Sequence, residues 1–327
     1  MTTARELIAA HPTLGFSDRA MGSPLRLRVR GRSNARLAWD AVRREFELAE
    51  EAMSRFRDTS EVTRLNRTAG TGARLLVSGR LRAALATADR AHRLTGGRFD
   101  PRVLSDLDRL GYRGAVLAPA GPAANTDRHP APGANRCIRR FGRWEIGLDE
   151  PVDLGGIGKG LALRWASARL DRLGVTDFLL EAGGDIVARG HPGDADRWVV
   201  GIESPAGGHE PRAALVVDAP GGAVATSSTR INRWLDADRP VHHLLDPATG
   251  EPATGGLVAV TVAARDPAWA EVWTKALFLR GAVAIGDEAR ARGLAAWWID
   301  DLGQLSMTAA ARQRTVWVSG EEETASF

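Results

Sequence analysis

The segment Asp153-Leu-Gly-Gly-Ile-Gly-Lys-Gly160 is the most glycine-dense motif of the chain, and it lies between a strand-like stretch, 144–148, and a helical pattern over 161–173. Glycines let backbone N–H groups approach an anion, and the helix that follows offers its positive N-terminus. The motif does not match a phosphate loop, because Gly160 stands where that loop needs Ser or Thr, and its GxGxG spacing is not a dinucleotide fingerprint. Two interpretations stay open: an anion site, or a tight strand-to-helix turn with an outward lysine.

The chain contains only two lysines, Lys159 and Lys275, while arginine supplies every other basic residue. An ammonium is a compact charge with three donors, whereas a guanidinium is a planar fork, so the two are not interchangeable at a tight polar site. We interpret the two lysines as positions that need an ammonium, and the alternative is that chance spared two lysines in an arginine-rich chain. For Lys275, the alternative is an ordinary exposed pair with Glu271, four residues earlier on a predicted helix, worth about 0.2–0.5 kcal/mol.

Composition restricts the class of protein. With 327 residues and 44% hydrophobic content, the chain is long enough for a large core. The net charge of +4 comes from basic residues dispersed among acids, which argues against a nucleic-acid partner. The single cysteine, Cys137, excludes an intramolecular disulfide. Because no run of 18 apolar residues and no apolar leader is seen, we expect no membrane partner and a cytoplasmic location.

Hydrophobic periodicity predicts an α+β fold. Residues 25–29 alternate as a half-buried strand, and apolar residues over 38–53 follow helical spacing. Further helices are predicted over 78–94, with Ser78 as N-cap, and from Asp266 onward, where Asp suits the N-cap and Pro267 the first turn. Short strands dominate after residue 198, at 198–202, 214–217, 223–226 and 257–264. Runs of strands with interspersed helices indicate α+β rather than regular βαβ alternation.

We expect an N-terminal extension over 1–20, one folded domain over 21–315 and a C-terminal tail over 316–327. A Pro-, Ala- and Gly-rich stretch without periodicity, 114–142, is predicted to be a surface excursion.

Three downstream motifs could contribute polar groups to one site. Glu181-Ala-Gly-Gly-Asp185 ends a buried strand with a flexible turn, and Ala225-Thr-Ser-Ser-Thr229 clusters hydroxyl groups that are equally common in ordinary turns. His243 and Asp246 in His242-His-Leu-Leu-Asp-Pro can converge on one cleft, although a lone histidine is more often structural. Adjacent side chains of a strand face opposite ways, so His242 and His243 do not form a metal-binding pair.

These motifs, in this order, resemble the ApbE-type FAD:protein FMN transferase family from about residue 21 to 281. Each is common alone, but seven in sequence are specific. The other motifs are Met21-Gly-Ser23, the segment 54–66 that begins Ser-Arg-Phe-Arg-Asp, and Gly96-Gly-Arg-Phe-Asp-Pro101.

The resemblance implies a single large domain of mixed sheets with flanking helices and an FAD site in a central cleft. Members of the family bind FAD and, with Mg²⁺, cleave its pyrophosphate, attach FMN to a Ser or Thr of a target flavoprotein, and release AMP. The resemblance thus implies that this protein is a transferase and a flavoprotein. Two alternatives remain: an FAD pyrophosphatase, and a non-catalytic FAD-binding relative.

The resemblance also implies roles for particular residues. His243, Asp246 and Lys275 are the expected catalytic residues, with His243 in proton transfer or substrate orientation. The expected cofactor-binding residues are Met21, Phe56, Arg98, Phe99, Asp100, Asp153, Lys159, Gly183, Gly184, Asp185, Ser227 and His243.

The expected metal site departs from the family pattern. In the family, Asp and Thr at i and i+4 of a late helix ligate Mg²⁺ together with a backbone oxygen of the glycine motif. Here Glu271 stands in the place of the Asp, Lys275 in the place of the Thr, and Gly156 would supply the backbone oxygen. A one-residue shift of the alignment would instead place Thr274 on the Thr position. A charged lysine has no lone pair and cannot ligate Mg²⁺. We therefore hypothesise that the Lys275 ammonium occupies the place of the metal, with weak or absent Mg²⁺ dependence.

Overall fold

The computed structural model describes residues 13–31, 34–112, 137–193, 197–205, 207–208, 210–218, 220–236 and 238–320. Within them lie eight α-helices, a short 3₁₀ helix at Pro101–Val103, and eighteen strands. The helices are α1 Ala35–Met53, α2 Glu61–Asn66, α3 Gly79–Leu94, α4 Leu104–Arg109, α5 Gly158–Arg172, α6 Pro267–Phe278, α7 Ile285–Ala291 and α8 Ala309–Arg312. The strands are β1 Leu14–Ala20, β2 Ser23–Val29, β3 Leu75–Leu76, β4 Ile138–Phe141, β5 Glu145–Leu148, β6 Phe178–Ala182, β7 Asp185–Arg189, β8 Val199–Ile202, β9 Ala213–Val216, β10 Gly221–Ser228, β11 Arg233–Asp236, β12 Arg239–His242, β13 Leu245–Asp246, β14 Glu251–Pro252, β15 Leu257–Ala264, β16 Ala295–Asp300, β17 Leu305–Met307 and β18 Thr315–Val318.

An eight-stranded antiparallel sheet organises the fold. Its strand order is β1-β2-β6-β7-β10-β15-β16-β17. Strand β2 shows why the sequence forms this sheet, because Leu25, Leu27 and Val29 are buried while Arg26 and Arg28 between them are exposed. Strand β6 is buried on both faces: Leu180 belongs to the core on the helical side and Leu179 to the core on the other side. The sheet therefore has cores on both faces.

Helices α1, α5 and α6 pack on one face of the sheet. Their buried side chains, among them Phe46, Leu161 and Ala268, share a core with Leu27 and Phe178 of the sheet. The opposite face is covered by the small sheet β18-β9-β8, where Trp198 and Leu215 pack with Trp297. The mixed sheets with flanking helices confirm the predicted α+β class.

Local predictions agree with the structure at most element ends. The side chain of Ser78 accepts a hydrogen bond from the Leu81 N–H, and that of Asp266 accepts from Ala268 and Trp269, so both predicted N-caps are confirmed. The helix predicted over 161–173 begins at Gly158 instead. Lys159 and Gly160 consequently lie in its first turn, where the glycine motif passes directly into the helix.

The structure also shows folded segments near the expected domain boundaries. Strand β1 lies within the expected extension 1–20 and pairs along its length with β2, and β18, which runs past residue 315, pairs with β9. The predicted excursion 114–142 lies outside the described residues except for 137–142, where β4 pairs with β5. None of the helices in the described segments is long and apolar enough to cross a membrane.

Candidate active site

Both lysines of the chain meet at one carboxylate oxygen. The Nζ of Lys159 lies 2.8 Å from Glu271 Oε1 and 2.7 Å from Asp185 Oδ2. The Nζ of Lys275 lies 3.4 Å from the same Oε1 and 3.4 Å from the Glu271 backbone oxygen. Glu271 and Asp185 are almost fully buried, at 1% and 2% exposure. We refer to these four residues as the lysine–carboxylate cluster.

Close packing of α5 against α6 positions this cluster. Lys159 lies in the first turn of α5 and Glu271 on α6, and the Gly160 N–H donates a 2.8 Å hydrogen bond to Glu271 Oε2. A Cβ at Gly160 would lie 2.5 Å from the Cα of Ala268, so only glycine allows the two helices this approach. The glycine motif thus serves as a helix-packing surface as well as a turn.

A glycine turn brings Asp185 to the cluster. Gly183 has φ +61°, and a Cβ there would lie 2.7 Å from Ser23 Oγ. Asp185 opens β7 directly after this turn, and its Oδ1 accepts a 3.1 Å hydrogen bond from the Thr226 N–H. Gly184, the other predicted glycine, has φ +89°, and a Cβ there would meet no atom within 4 Å.

Charge pairing and burial act against each other in the cluster. Burial disfavours the charge of Glu271, but Lys159 and Lys275 outweigh it and lower its pKa. Burial also disfavours the charge of Lys159, and Asp185 and Glu271 outweigh it and raise its pKa. For Lys275 burial is the larger effect and lowers its pKa, although Glu271 opposes the shift; burial likewise raises the pKa of Asp185. Lys159 therefore keeps its proton more firmly than Lys275 does.

Lys275, rather than Thr274, faces the glycine motif. A Cβ at Gly156 would lie 3.3 Å from Cδ and 3.4 Å from Cε of Lys275, so the lysine stem covers this glycine. Thr274 is fully buried and turned towards β10, where its Oγ1 lies 2.7 Å from Ser227 Oγ and donates a 2.7 Å hydrogen bond to the Glu271 backbone oxygen. The structure thus favours the register that places Lys275 at the expected metal position. Ser227 is instead hydrogen-bonded to Thr274 in the core.

The donor set at this position does not fit Mg²⁺. Glu271 Oε1 contacts two ammonium groups, and Oε2 accepts the Gly160 N–H. Lys275 offers no lone pair, whereas Mg²⁺ needs oxygen ligands in near-octahedral geometry. Among the described residues, no group of three His, Cys, Asp or Glu side chains is arranged to hold a metal ion.

His243 presents an unpaired polar atom beside the cluster. Its buried Nδ1 has no hydrogen-bond partner among the described residues, and the positive charge of Lys275 acts on the imidazole. Burial first, and Lys275 second, lower its pKa to about 3. His242 faces elsewhere, with Nε2 3.2 Å from the Ala253 oxygen, as expected for neighbouring residues. Asp246 accepts a 2.9 Å hydrogen bond from the Ala248 N–H and so stabilises its own turn.

The lowered pKa of His243 predicts a loss of stability in acid. The unfolded chain binds a proton near pH 6.5 that the folded imidazole rejects until about pH 3, so the free energy of unfolding falls as pH decreases through this window. We expect this group to contribute at most about 1.4 kcal/mol per pH unit. Urea denaturation at pH 7 and pH 5 should show a shallower pH dependence for His243→Asn than for wild type. His191→Asn, which removes an exposed histidine, is the control, and equal slopes for wild type and His243→Asn would contradict the prediction.

An aromatic surface adjoins His243. The ring of Tyr112 lies 6.2 Å from the His243 ring and 5.1 Å from the Trp234 ring, and Phe56, which is 54% exposed, meets Tyr112 edge to face. The guanidinium of Arg55 lies 4.5 Å from the Phe56 ring centroid. Sequence reasoning proposed Phe56 but missed Tyr112, Trp234 and Arg55. Tyr112 is the only tyrosine of the chain, a signal that went unused.

Arg55 connects this aromatic surface to the glycine motif. Its Nε lies 2.8 Å from Asp153 Oδ2, and it also pairs with Asp108. Asp153 Oδ1 accepts a hydrogen bond from the Gly155 N–H. Asp153 therefore holds the start of the glycine motif in place, with both carboxylate oxygens occupied.

The remaining predicted cofactor residues lie around the cluster or in supporting contacts. Phe99 is buried, and a Cβ at Gly156 would lie 3.0 Å from its ring. Asp100 is buried and paired with Arg102, whose Nε lies 2.9 Å from Oδ1. Arg98 lies 4.0 Å from Glu288 on α7. Met21 has φ +51°, donates its N–H to Glu50 Oε1 at 2.7 Å, and reaches with its Cε to Gly158.

A cavity of about 870 Å³ lies at the end of β7 and the beginning of β10. Arg189, Arg197, Arg265 and Arg314 line it together with the beginning of β10 and the end of β15. Its lining includes none of the predicted site residues, because Asp185 and Ser227 lie at the opposite ends of β7 and β10. The expected FAD cleft stays a prediction.

Comparison with known proteins places these features in one family. The model of the ApbE family matches residues 21–298. The chain is 32% identical over 189 residues to a FAD:protein FMN transferase of Klebsiella pneumoniae (strain 342), which covers 57% of this chain and 53% of that protein. It is 33% identical over 153 residues to a protein of the same name from Escherichia coli (strain K12), covering 46% and 43%. The chain thus spans about half the length of these curated relatives.

Solved structures show the same fold over nearly the whole chain. The ApbE protein of Thermotoga maritima superimposes with a TM-score of 0.79 at 23% identity, covering 92% of this chain and 99% of that one. The flavin transferase ApbE of Vibrio cholerae gives a TM-score of 0.73 at 21% identity, covering 93% and 99%. With the family match extending from Met21 past the lysine–carboxylate cluster, the chain belongs to the ApbE family.

Proposed function

We propose that the protein is a FAD:protein FMN transferase that moves FMN from FAD to a Ser or Thr hydroxyl of a target flavoprotein and releases AMP. The observation that carries this proposal is the meeting of Lys159 and Lys275 at Glu271, beside His243, whose buried Nδ1 has no partner among the described residues. Family membership and the names of the relatives support the same activity.

The transfer replaces the phosphoanhydride bond of FAD with a phosphoester bond to the acceptor. The acceptor hydroxyl oxygen attacks the phosphorus on the FMN side of the FAD diphosphate, the bond from that phosphorus to the bridging oxygen breaks, and AMP leaves with the bridging oxygen. The hydroxyl proton passes to a base or to the phosphate oxygens. Such a reaction needs positive charge around the diphosphate and a group that orients the hydroxyl.

The two ammonium groups are placed to supply that charge. The side chains of Lys159 and Lys275 are 23% and 18% exposed, so both are reachable from solvent despite their buried carboxylate partners. At the edge of the aromatic surface, the exposed ring of Phe56 offers a face on which a flavin or an adenine can stack. A dinucleotide is thus the ligand class that matches both parts of the site.

His243 would act mainly by orientation. With its pKa lowered to about 3, the imidazole is neutral at pH 7 and is a weak base before any ligand binds. A bound diphosphate adds negative charge beside it, which favours the protonated form. The unpaired Nδ1 is then available to hydrogen-bond the hydroxyl or a phosphate oxygen.

We assign no step to Mg²⁺, because the residues at the expected metal position do not fit it. The Ser or Thr nature of the target, and the cytoplasmic location expected from the sequence, stay predictions.

The proposal is tested by product analysis. The purified chain is incubated with FAD and a candidate acceptor flavoprotein, and with the same acceptor after its target hydroxyl residue is replaced by alanine. We expect AMP by chromatography and a covalent FMN mass shift only on the intact acceptor. AMP without any adduct would indicate hydrolysis, and bound intact FAD without AMP would indicate a carrier; either result, with an acceptor modified by a known transferase, would contradict the proposal.

A further inference from the structure

Lys275 differs from Lys159 in how closely its ammonium group is paired with carboxylates. Lys159 lies within 2.8 Å of two buried carboxylates. Lys275 makes two contacts of 3.4 Å, both with Glu271, and 18% of its side chain is exposed. An ammonium has three N–H donors, so Lys275 keeps donor capacity for an incoming anion.

The position of Lys275 is fixed from three sides. Its stem lies over Gly156, its head is paired with Glu271 one helical turn earlier, and Thr274 beside it is anchored to Ser227 in the core. Because α6 is held close to α5 at Gly160, the ammonium is carried on a rigid element next to the glycine motif. A preorganised charge of this kind stabilises an anion without reorganisation.

A divalent cation is disfavoured at the same place. Any ion approaching Glu271 Oε1 would come within a few ångströms of two ammonium groups, and like charges at that distance repel strongly in a buried site. The cluster already balances two lysines against two carboxylates. It therefore has no excess negative charge with which to attract a metal.

We propose that Lys275 is a built-in cation that binds the diphosphate of a dinucleotide in place of a divalent metal ion, so that ligand binding is independent of metal. This inference rests on the proposed function and specifies how that site recognises its substrate. It assigns to Lys275 a direct contact with the phosphate oxygens, with Lys159 holding Glu271 and Asp185 in place.

Metal dependence of FAD binding tests this inference without relying on turnover. Flavin fluorescence titrations of the full chain in excess EDTA and in Mg²⁺ should give affinities within about twofold of each other for wild type. Elemental analysis of the purified protein should find no stoichiometric divalent metal. FAD binding that is lost in EDTA and regained with Mg²⁺ would overturn the inference but leave the proposed function standing. Absence of FAD binding in both buffers would overturn the proposed function itself.

Two substitutions separate charge from coordination. Lys275→Met removes the ammonium without adding an oxygen, and we expect about tenfold weaker FAD binding in both buffers. Lys275→Thr removes the same charge but adds an oxygen beside Glu271, and we expect about tenfold weaker binding in EDTA that Mg²⁺ partly restores. Arg290→Thr, which removes a charge that is 67% exposed on α7, is the matched control and should bind as wild type does. Wild-type affinity in Lys275→Met would contradict the role of the ammonium.

Discussion

Replacement of Lys159 by methionine is expected to lower the free energy of unfolding by about 3–5 kcal/mol and to abolish the proposed cleavage of FAD. The substitution removes the nearest cation from both Asp185 and Glu271. Both carboxylates are almost fully buried. An unpaired buried charge costs far more than the net value of the ion pair, because its desolvation is no longer offset. Urea denaturation and AMP release measure the two effects.

A double substitution shows whether the unpaired charge is the cause. Lys159→Met combined with Asp185→Asn removes one orphaned carboxylate, so part of the lost stability should return, whereas cleavage should not. Arg290→Met is the surface control. A loss of under about 1 kcal/mol for Lys159→Met would show that the cluster does not contribute to stability as the geometry indicates.

Replacement of Gly160 by alanine is expected to lower the free energy of unfolding by about 3 kcal/mol and to weaken the proposed binding of FAD. The added Cβ would lie 2.5 Å from Ala268 Cα and 2.6 Å from the Pro267 oxygen, which are backbone atoms that cannot rotate away. Helices α5 and α6 must separate, and that movement also breaks the hydrogen bond from the Gly160 N–H to Glu271.

A second helical glycine supplies the matched control. Gly286 lies in α7, and a Cβ there would meet no atom closer than the Trp298 side chain at 3.5 Å. Gly286→Ala should therefore be neutral or stabilising by about 0.5–1 kcal/mol, as helix propensity predicts. If both alanine variants unfold at the same urea concentration as wild type, helix packing at Gly160 is looser than the structure shows.

Much of the fold was predictable because its signals are local. Alternating residues in β2, helical spacing in α1 and the caps Ser78 and Asp266 each depend on neighbours in the sequence. The start of α5 was misplaced by three residues, because glycines argue against a helix start, whereas contact with α6 requires them there. The aromatic surface was missed in part, since Tyr112 and Trp234 meet only through tertiary packing.

The sequence by itself determined the α+β class, the family resemblance and the importance of two lysines among many arginines. It left the register of Lys275 and Thr274 open, since both lie on one helix within a single turn. Only the tertiary structure decided it: Thr274 packs against Ser227 of β10, and Lys275 meets Glu271 and Gly156. It also decided that Lys159 reaches Glu271, 112 residues away in sequence. The physical reason is that burial against distant elements selects the side chains of α6 that face the core and those that face the site.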